Sequence, residues 1–423
     1  MSAPAPKVPH VVVLGGGFAG LYVARGLANA PVRVTVVDRR NHHLFQPMLY
    51  QVATAGLNPA DIASPIRSLL RTQQNTEVLL AEAVSVDVGA RLVHFGDGAS
   101  IGYDYLIVGT GARHSYFGHD HWESLAPGLK SLEDALEIRR RVLLAYEDAE
   151  RERDGAEQRA LLTSVVIGGG PTGVELAGAL AEISRETIAR DFRLIDPTKA
   201  RIVLIEAGPR LLPSFPAPLS AHAGTALARL GVEVRTGAPV TQVTHDAVWL
   251  GGEQIRARTV LWAAGVAASP LARSLGVPLD RAGRVLVEPD LSVPGHGMVF
   301  AIGDMSSVRG PDGHPLPGLA PVAIQQGQAV AANVRRRLAG LPTRPFRYRD
   351  RGSMATIGRA AAVAVVGRLQ LHGLPAWLAW LFVHIMSLIG FRNRFLVLFE
   401  WAWAYMSWQR GARLITHPWR PRH

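Results

Sequence analysis

Two clusters of glycine, each followed at a distance by an acid, carry the chemistry of this chain. Gly15, Gly17 and Gly20 stand in G-x-G-x-x-G register and Asp38 follows; Gly168, Gly170 and Gly173 repeat the register and Glu206 follows. In such a turn the first glycine permits a tight bend, the second lets backbone approach a pyrophosphate, and the third lets a helix pack on its strand. The helix that opens there points unpaired N–H groups and the positive end of its dipole at phosphate. An acid at the end of the next strand accepts from a ribose hydroxyl. One such cluster discriminates poorly. Two in one chain point to two bound dinucleotides with electron transfer between them. Glu206 suits a free 2′-hydroxyl and repels a 2′-phosphate, which favours NADH over NADPH, while Arg210 nearby works against that preference. Glu175, two residues past Gly173, is either an exposed helix carboxylate or a group beside the reacting ring.

These residues need strands and helices to hold them. Val11–Leu14 and Val32–Val37 are apolar β-branched runs on either side of the first turn. Ser164–Ile167 and Ala200–Ile205 flank the second, with a helix through Ala181 and residues Glu182–Lys199 as an elongated helix and loop. Thr76–Val88, Arg91–Phe95 and Tyr103–Val108 are further strands, the last ending in the small residues Gly109–Ala112. Thr259–Val266 is its counterpart in the second half, and Met298–Met305 is a strand closing on Gly303-Asp304, a carboxylate able to bond a polyol hydroxyl. Glu233–Val243 and Val248–Gln254 are expected to form a hairpin, Leu132–Arg153 a packing helix, and Ala320–Arg337 a helix after the Pro/Gly loop Pro311–Leu319. His42 and His43 are expected to be hydrogen-bonding surface residues; no third ligand lies at metal spacing, so no metal site is assigned.

The bulk composition narrows the class. The chain has 423 residues, enough for two to three domains, and 43 glycines with 28 prolines suit a turn-rich α/β enzyme. The net charge of +11 fits anionic ligands or an anionic membrane surface; without any zinc-finger, RNP or basic-heptad pattern, nucleic acid is not expected as a partner. There is no cysteine, so redox chemistry must run through an organic cofactor rather than a dithiol or an iron–sulfur cluster. The start, MSAPAPKVPH, lacks the apolar core of a secretory signal. The tail differs. Ala376–Phe391 and Phe395–Trp408 are almost wholly apolar runs around Arg392-Asn393-Arg394. Each is shorter than the ~20 residues that span a bilayer. Trp377, Trp380, Trp401, Trp403, Trp408 and Trp419 crowd this end, and Arg410, Arg413, Arg420 and Arg422 suit anionic lipid. The tail is expected to form a membrane-associating helical hairpin, with an apolar dimer interface as the competing reading.

Assembled, these motifs resemble the type II NADH dehydrogenases (single-subunit NADH:quinone oxidoreductases) of the two-dinucleotide-binding-domain flavoprotein superfamily. The resemblance rests on GGGFAG with Asp38, HLFQPMLYQVATAGLNPADIASPIR, YDYLIVGTGA, GGGPTGVE, LWAAGV, VFAIGD, APVAIQQG, MATIGRAAAVA and a GFRNR-bearing tail. It implies an α/β fold of two Rossmann-like domains. An FAD domain (residues 1–115 and 291–345) would carry an inserted NADH domain (116–290), followed by a membrane-anchoring, quinone-side region (346–423). It implies FAD on Gly15, Gly16, Gly17, Phe18, Ala19, Gly20, Asp38, Arg39, Ala83, Gly111, Gly303, Asp304 and Ala323. NADH would lie on Gly168, Gly170, Gly173, Glu206 and Gly265. Glu175 matches the family's carboxylate near nicotinamide and flavin, and Gln325 and Gln326 lie in the helix beside the flavin and quinone. The family usually has Ala-Gln where this chain has Ala320-Pro321, so the first glutamine of that helix is missing. The implied activity is oxidation of NADH, with hydride passing to FAD and two electrons to a membrane quinone, without proton pumping. The implied setting is a homodimeric peripheral protein on an anionic lipid surface, at the cytoplasmic face of the cell membrane. The rival readings are a soluble NADH-dependent flavoprotein reductase of a protein acceptor and a non-catalytic NADH/FAD sensor.

Overall fold

The computed structural model describes residues 8–310, 313–388, 398–399 and 412–415. The chain divides into two compact units. The first gathers residues 1–44, 63–113 and 266–350. Its centre is a six-stranded sheet in the order Ser292–Val293, His296–Ala301, Tyr105–Val108, His10–Leu14, Arg33–Asp38, Thr76–Leu80. All neighbours run parallel except the Ser292–Val293 edge. Strands covered on both faces read as continuous apolar runs, and every residue of Val11–Leu14 is fully buried. Helices Phe18–Gly26 and Ala320–Leu338 pack closely on small residues: a Cβ on Gly26 would stand 2.6 Å from that of Ala331.

The expected strand Thr76–Val88 is two strands. Thr76–Leu80 edges the parallel sheet, and Ala83–Asp87 opens an antiparallel meander with Leu92–Phe95 and Ser100–Gly102. The break falls where the Ala81 N–H turns to the Asp38 carbonyl, 3.0 Å away. The expected boundary near residue 290 falls between 265 and 266 instead. Ala268, Leu271, Leu275 and Val285 bury themselves in one apolar cluster with Val86, Val93 and Val299 of the first unit, which draws that segment across.

The second unit gathers residues 45–62, 114–265 and 351–423. Its sheet is four parallel strands in the order Val232–Thr236, Arg201–Glu206, Thr163–Ile167, Thr259–Trp262. The helix expected to end near Ala181 runs Pro171–Glu182 and continues as a π-helical turn, Ile183–Thr187. The packing helix Leu132–Arg151 starts at a capping box between Ser131 and Asp134. The expected hairpin of Glu233–Val243 with Val248–Gln254 forms only in part, Gln242 and Val243 pairing antiparallel with Trp249 and Val248. Val232–Thr236 joins the parallel sheet, Gly237 turns the chain at φ +66°, and Gln242–Val243, Ala247–Leu250 and Glu253–Arg256 make a separate meander.

Toward the C-terminus, Ser353–Thr356, Ala362–Val366 and Leu369–His372 form an antiparallel meander followed by helix Gly373–Ser387. Ala376 and Trp380 are buried, whereas Leu374, Leu378, Phe382 and Met386, each one turn on from the last, are at least half exposed. No helix among the described residues is long and apolar enough to cross a membrane. Arg392, Asn393, Arg394, Trp401, Trp403, Trp408, Arg410, Trp419, Arg420 and Arg422, and with them most of the second apolar run, lie outside the described residues. Arg413, expected to face lipid, instead donates to the Thr187 carbonyl and the Asp191 carboxylate.

Candidate functional site: two glycine turns and a buried carboxyl

In the first unit the sheet's carboxyl edge assembles the turn. Gly15 takes φ +99°, and a Cβ there would collide with the Gly109 carbonyl. A Cβ on Gly20 would collide with the Gly15 carbonyl, whereas one on Gly17 would meet only open space. That space, bounded by backbone, is what a pyrophosphate needs. Helix Phe18–Gly26 has Gly17 at its cap, no side-chain cap and no acid in its first turn, in contrast to the boxed start of Leu132–Arg151. Its N-terminal N–H groups are thus left for an anion. Asp38 accepts the Gly16 N–H (2.6 Å) through Oδ2 and the Arg40 N–H (2.8 Å) through Oδ1. Gly303 lies alongside, 3.5 Å from Ala19 and 3.7 Å from Ala323 when given a Cβ. Gly111 follows at φ +73° and its carbonyl accepts from Ser269. Ala83 starts the meander two residues beyond the bond to Asp38, and Arg39 reaches Glu82 at 3.3 Å.

The second unit repeats this construction. Gly168 takes φ +112° against the Ala263 carbonyl, Gly173 abuts the Gly168 carbonyl, and a Cβ on Gly170 would meet open space. Helix Pro171–Glu182 again lacks a side-chain cap and a first-turn acid. Glu206 accepts the Gly169 and Gly208 N–H groups, each at 2.6 Å. Arg210 is turned away: it donates to the Phe215 and Pro213 carbonyls at 2.7 and 2.8 Å and to Ser220 at 3.2 Å. The residues in both turns therefore fit a dinucleotide.

Glu175 is half-buried, not the exposed helix carboxylate, and desolvation raises its pKa to about 8; the Thr356 N–H, 3.4 Å from Oε1, opposes the shift. Thr356 Oγ1 is 3.0 Å from the Tyr50 hydroxyl, which also accepts from Gln51 at 3.0 Å. Burial, with Glu175 adding to it, pushes the Tyr50 phenol above its ordinary range. Gln326 is buried, its Oε1 taking the Gly303 N–H at 2.5 Å. Gln325 donates to the Arg349 carbonyl (2.9 Å) and accepts its N–H (3.0 Å). Both glutamines thus brace backbone of the first unit.

His43 is buried, not on the surface. Its Nδ1 is 3.0 Å from the Gly16 carbonyl and so carries the proton, and its ring meets Phe18 edge to face at 5.0 Å. It supports the first turn from a position that turn spacing does not flag. Gly169, Tyr50 and Thr356 are not singled out as site residues by the sequence, although Gly169 is the middle residue of GGG and the other two lie in HLFQPMLYQVATAGLNPADIASPIR and MATIGRAAAVA.

The family model for pyridine nucleotide-disulphide oxidoreductases matches residues 9–327, and one for the NDH2 C-terminal domain matches residues 351–407. Both glycine turns lie within the first match, although this chain has no cysteine for the disulphide of the family's name. The chain is 44% identical to the type II NADH:quinone oxidoreductase Ndh of Mycobacterium tuberculosis, over 98% of this chain and 92% of that one. It is 31% identical to the type II NADH:quinone oxidoreductase of Staphylococcus aureus, over 86% and 92% respectively. The structure of NDH2 from Plasmodium falciparum in complex with NADH shares the fold: TM-score 0.88 at 19% identity, covering 97% of this chain and all of that one. The chain belongs to the type II NADH:quinone oxidoreductases.

Proposed function

We propose that the chain oxidises NADH and reduces a quinone through FAD at a membrane surface, without pumping protons. The observation that carries this reading is the repeated glycine turn, uncapped in both units, each beside its own carboxylate. Bound FAD supplies the carrier between a hydride donor and a two-electron acceptor. The protein binds one dinucleotide per turn: the uncapped N–H groups meet phosphate, and Asp38 and Glu206 meet ribose hydroxyls. The overall balance, NADH + H⁺ + quinone giving NAD⁺ + quinol, needs one proton beyond the hydride. Glu175 holds a proton at its carboxyl up to about pH 8 and is the group of the second unit suited to hand one on. The test is one cuvette: purified protein should show a flavin spectrum, bleach with NADH under anaerobic conditions and recover with a short-chain quinone. No bleaching would end the NADH reading, and no recovery the quinone reading.

Glu206→Ala should raise the NADH KM about tenfold, as expected for losing a charge-assisted hydrogen bond, and the NADPH KM much less. Arg210 is already occupied by the Phe215 and Pro213 carbonyls and so is not aimed at a 2′-phosphate. Equal changes in the two KM values would remove Glu206 from ribose recognition.

The exposed apolar row of helix Gly373–Ser387 supports membrane attachment. Replacing Leu378 and Phe382 together by Glu leaves buried Ala376 and Trp380 in place. It should shift most of the protein from sedimenting with anionic vesicles to the supernatant. Undiminished sedimentation would assign the face to another partner.

A further inference from the structure

Phe117 plays no part in the reading above. It is 69% exposed and takes φ +52°, a left-handed conformation that a bulky side chain keeps only where its surroundings impose it. Those surroundings are explicit. Ser115 donates its N–H to the Gly265 carbonyl at 3.1 Å, and the Trp262 indole N–H donates to the Ser115 carbonyl at 2.9 Å. The Tyr116 hydroxyl donates to the Ala126 carbonyl at 2.9 Å, and its ring packs 4.9 Å from that of Trp262. The backbone before Phe117 is fastened, and the next ring is turned outward onto Gly265, where a Cβ would stand 2.6 Å from Phe117 Cζ.

The place of that ring matters. The glycine turn follows strand Thr163–Ile167, which lies between Arg201–Glu206 on one side and Thr259–Trp262 on the other. Ligands of such sheets lie along the carboxyl edge. A dinucleotide held at its pyrophosphate by the turn and at its adenosine ribose by Glu206 has one direction left for its second nucleoside, past Ala263–Gly265. The contact between Gly168 and Ala263 fixes that neighbourhood. Gly265 carries no side chain to obstruct the path, and Phe117 stands beside it.

Building on the NADH reading, we propose that Phe117 is the stacking platform for the nicotinamide ring of the dinucleotide bound to the second unit. An exposed ring held by a fixed backbone loses little freedom on stacking, and a planar heteroaromatic ring is the matching ligand. Phe117 then selects the nicotinamide half, as Glu206 selects the adenosine half.

The test uses the full-length, FAD-loaded enzyme and two ligands measured by calorimetry. NAD⁺ carries the nicotinamide; ADP-ribose has the same adenosine, pyrophosphate and second ribose but lacks it. Phe117→Ala should weaken NAD⁺ about tenfold, the range of one lost ring stack, and leave ADP-ribose unchanged. Phe117→Tyr should keep both affinities. Phe117→Gly, which suits the left-handed backbone, should reproduce the alanine result with no loss of thermal stability. Equal weakening of both ligands would make Phe117 a structural residue, and unchanged NAD⁺ binding would overturn the platform; either result leaves the NADH reading intact. A wild-type enzyme that binds neither ligand would overturn that reading, and this one with it.

Discussion

Gly20→Ala should yield a protein that purifies nearly colourless. The added methyl would sit on the Gly15 carbonyl, backbone on backbone, so no side chain can swing aside. Overpacking of this kind costs about 1–3 kcal/mol or more, and each 1.4 kcal/mol charged to the bound state lowers affinity about tenfold. Flavin content should fall to about a tenth or less of wild type, read from the absorbance ratio of flavin to protein. Gly173→Ala repeats the collision with the Gly168 carbonyl in the second unit and should give the complementary result. Flavin should stay, and the NADH KM should rise at least about tenfold. The pair tests the assignment as well as the clash. If Gly20→Ala kept its flavin while Gly173→Ala lost it, the two cofactors would have to exchange units.

Glu175→Gln should lower kcat about a hundredfold with little change in flavin content or NADH KM, the loss expected when a positioned proton donor is replaced by an amide. The pH profile is the sharper readout. Burial raises this carboxyl to about 8, so wild-type activity should decline as pH rises through that value and the proton is lost. Glutamine has no such proton, and its profile should lack that limb. Stability should follow the same sign. The folded protein keeps a proton that the unfolded chain, with an ordinary carboxyl near 4.5, gives up. The stabilisation is therefore complete below about 4.5 and fades as pH climbs to about 8. Melting temperatures of wild type and Glu175→Gln should diverge across that window, wild type falling. Parallel curves would place the titration elsewhere.

The parts legible in the sequence are those whose physics is local. A glycine turn needs its three glycines within six positions of one another, and a buried parallel strand needs an unbroken apolar run. The turns at Gly15 and Gly168, the strands that carry them and the packing helix that starts at Leu132 all follow. What stays hidden depends on partners far along the chain. The Tyr50 hydroxyl meets Thr356 across 306 positions, and Glu175 becomes half-buried beside that pair. His43 is buried because Gly16 and Phe18 receive it, which no histidine pattern announces. Thr76–Val88 looks like one strand because both its halves are β-branched and apolar; the switch of sheets shows only in the partners, Arg33–Asp38 for the first half and Leu92–Phe95 for the second. The tail's sheet, Ser353–His372, is masked by alanine and glycine, which carry little strand signal of their own.

Glu206 grips the backbone of Gly169 and Gly208 with the same carboxylate that we propose meets a ribose hydroxyl. That coupling has an evolutionary consequence. A lineage drifting toward a 2′-phosphorylated dinucleotide must first discard this acid, and with it two of the bonds that brace the turn. The first step away from NADH therefore loses hold on NADH before it gains any on the phosphorylated coenzyme, and the turn's own geometry guards the choice of substrate. A new preference would have to arrive with a replacement for the brace, through at least one compensating change at the turn itself.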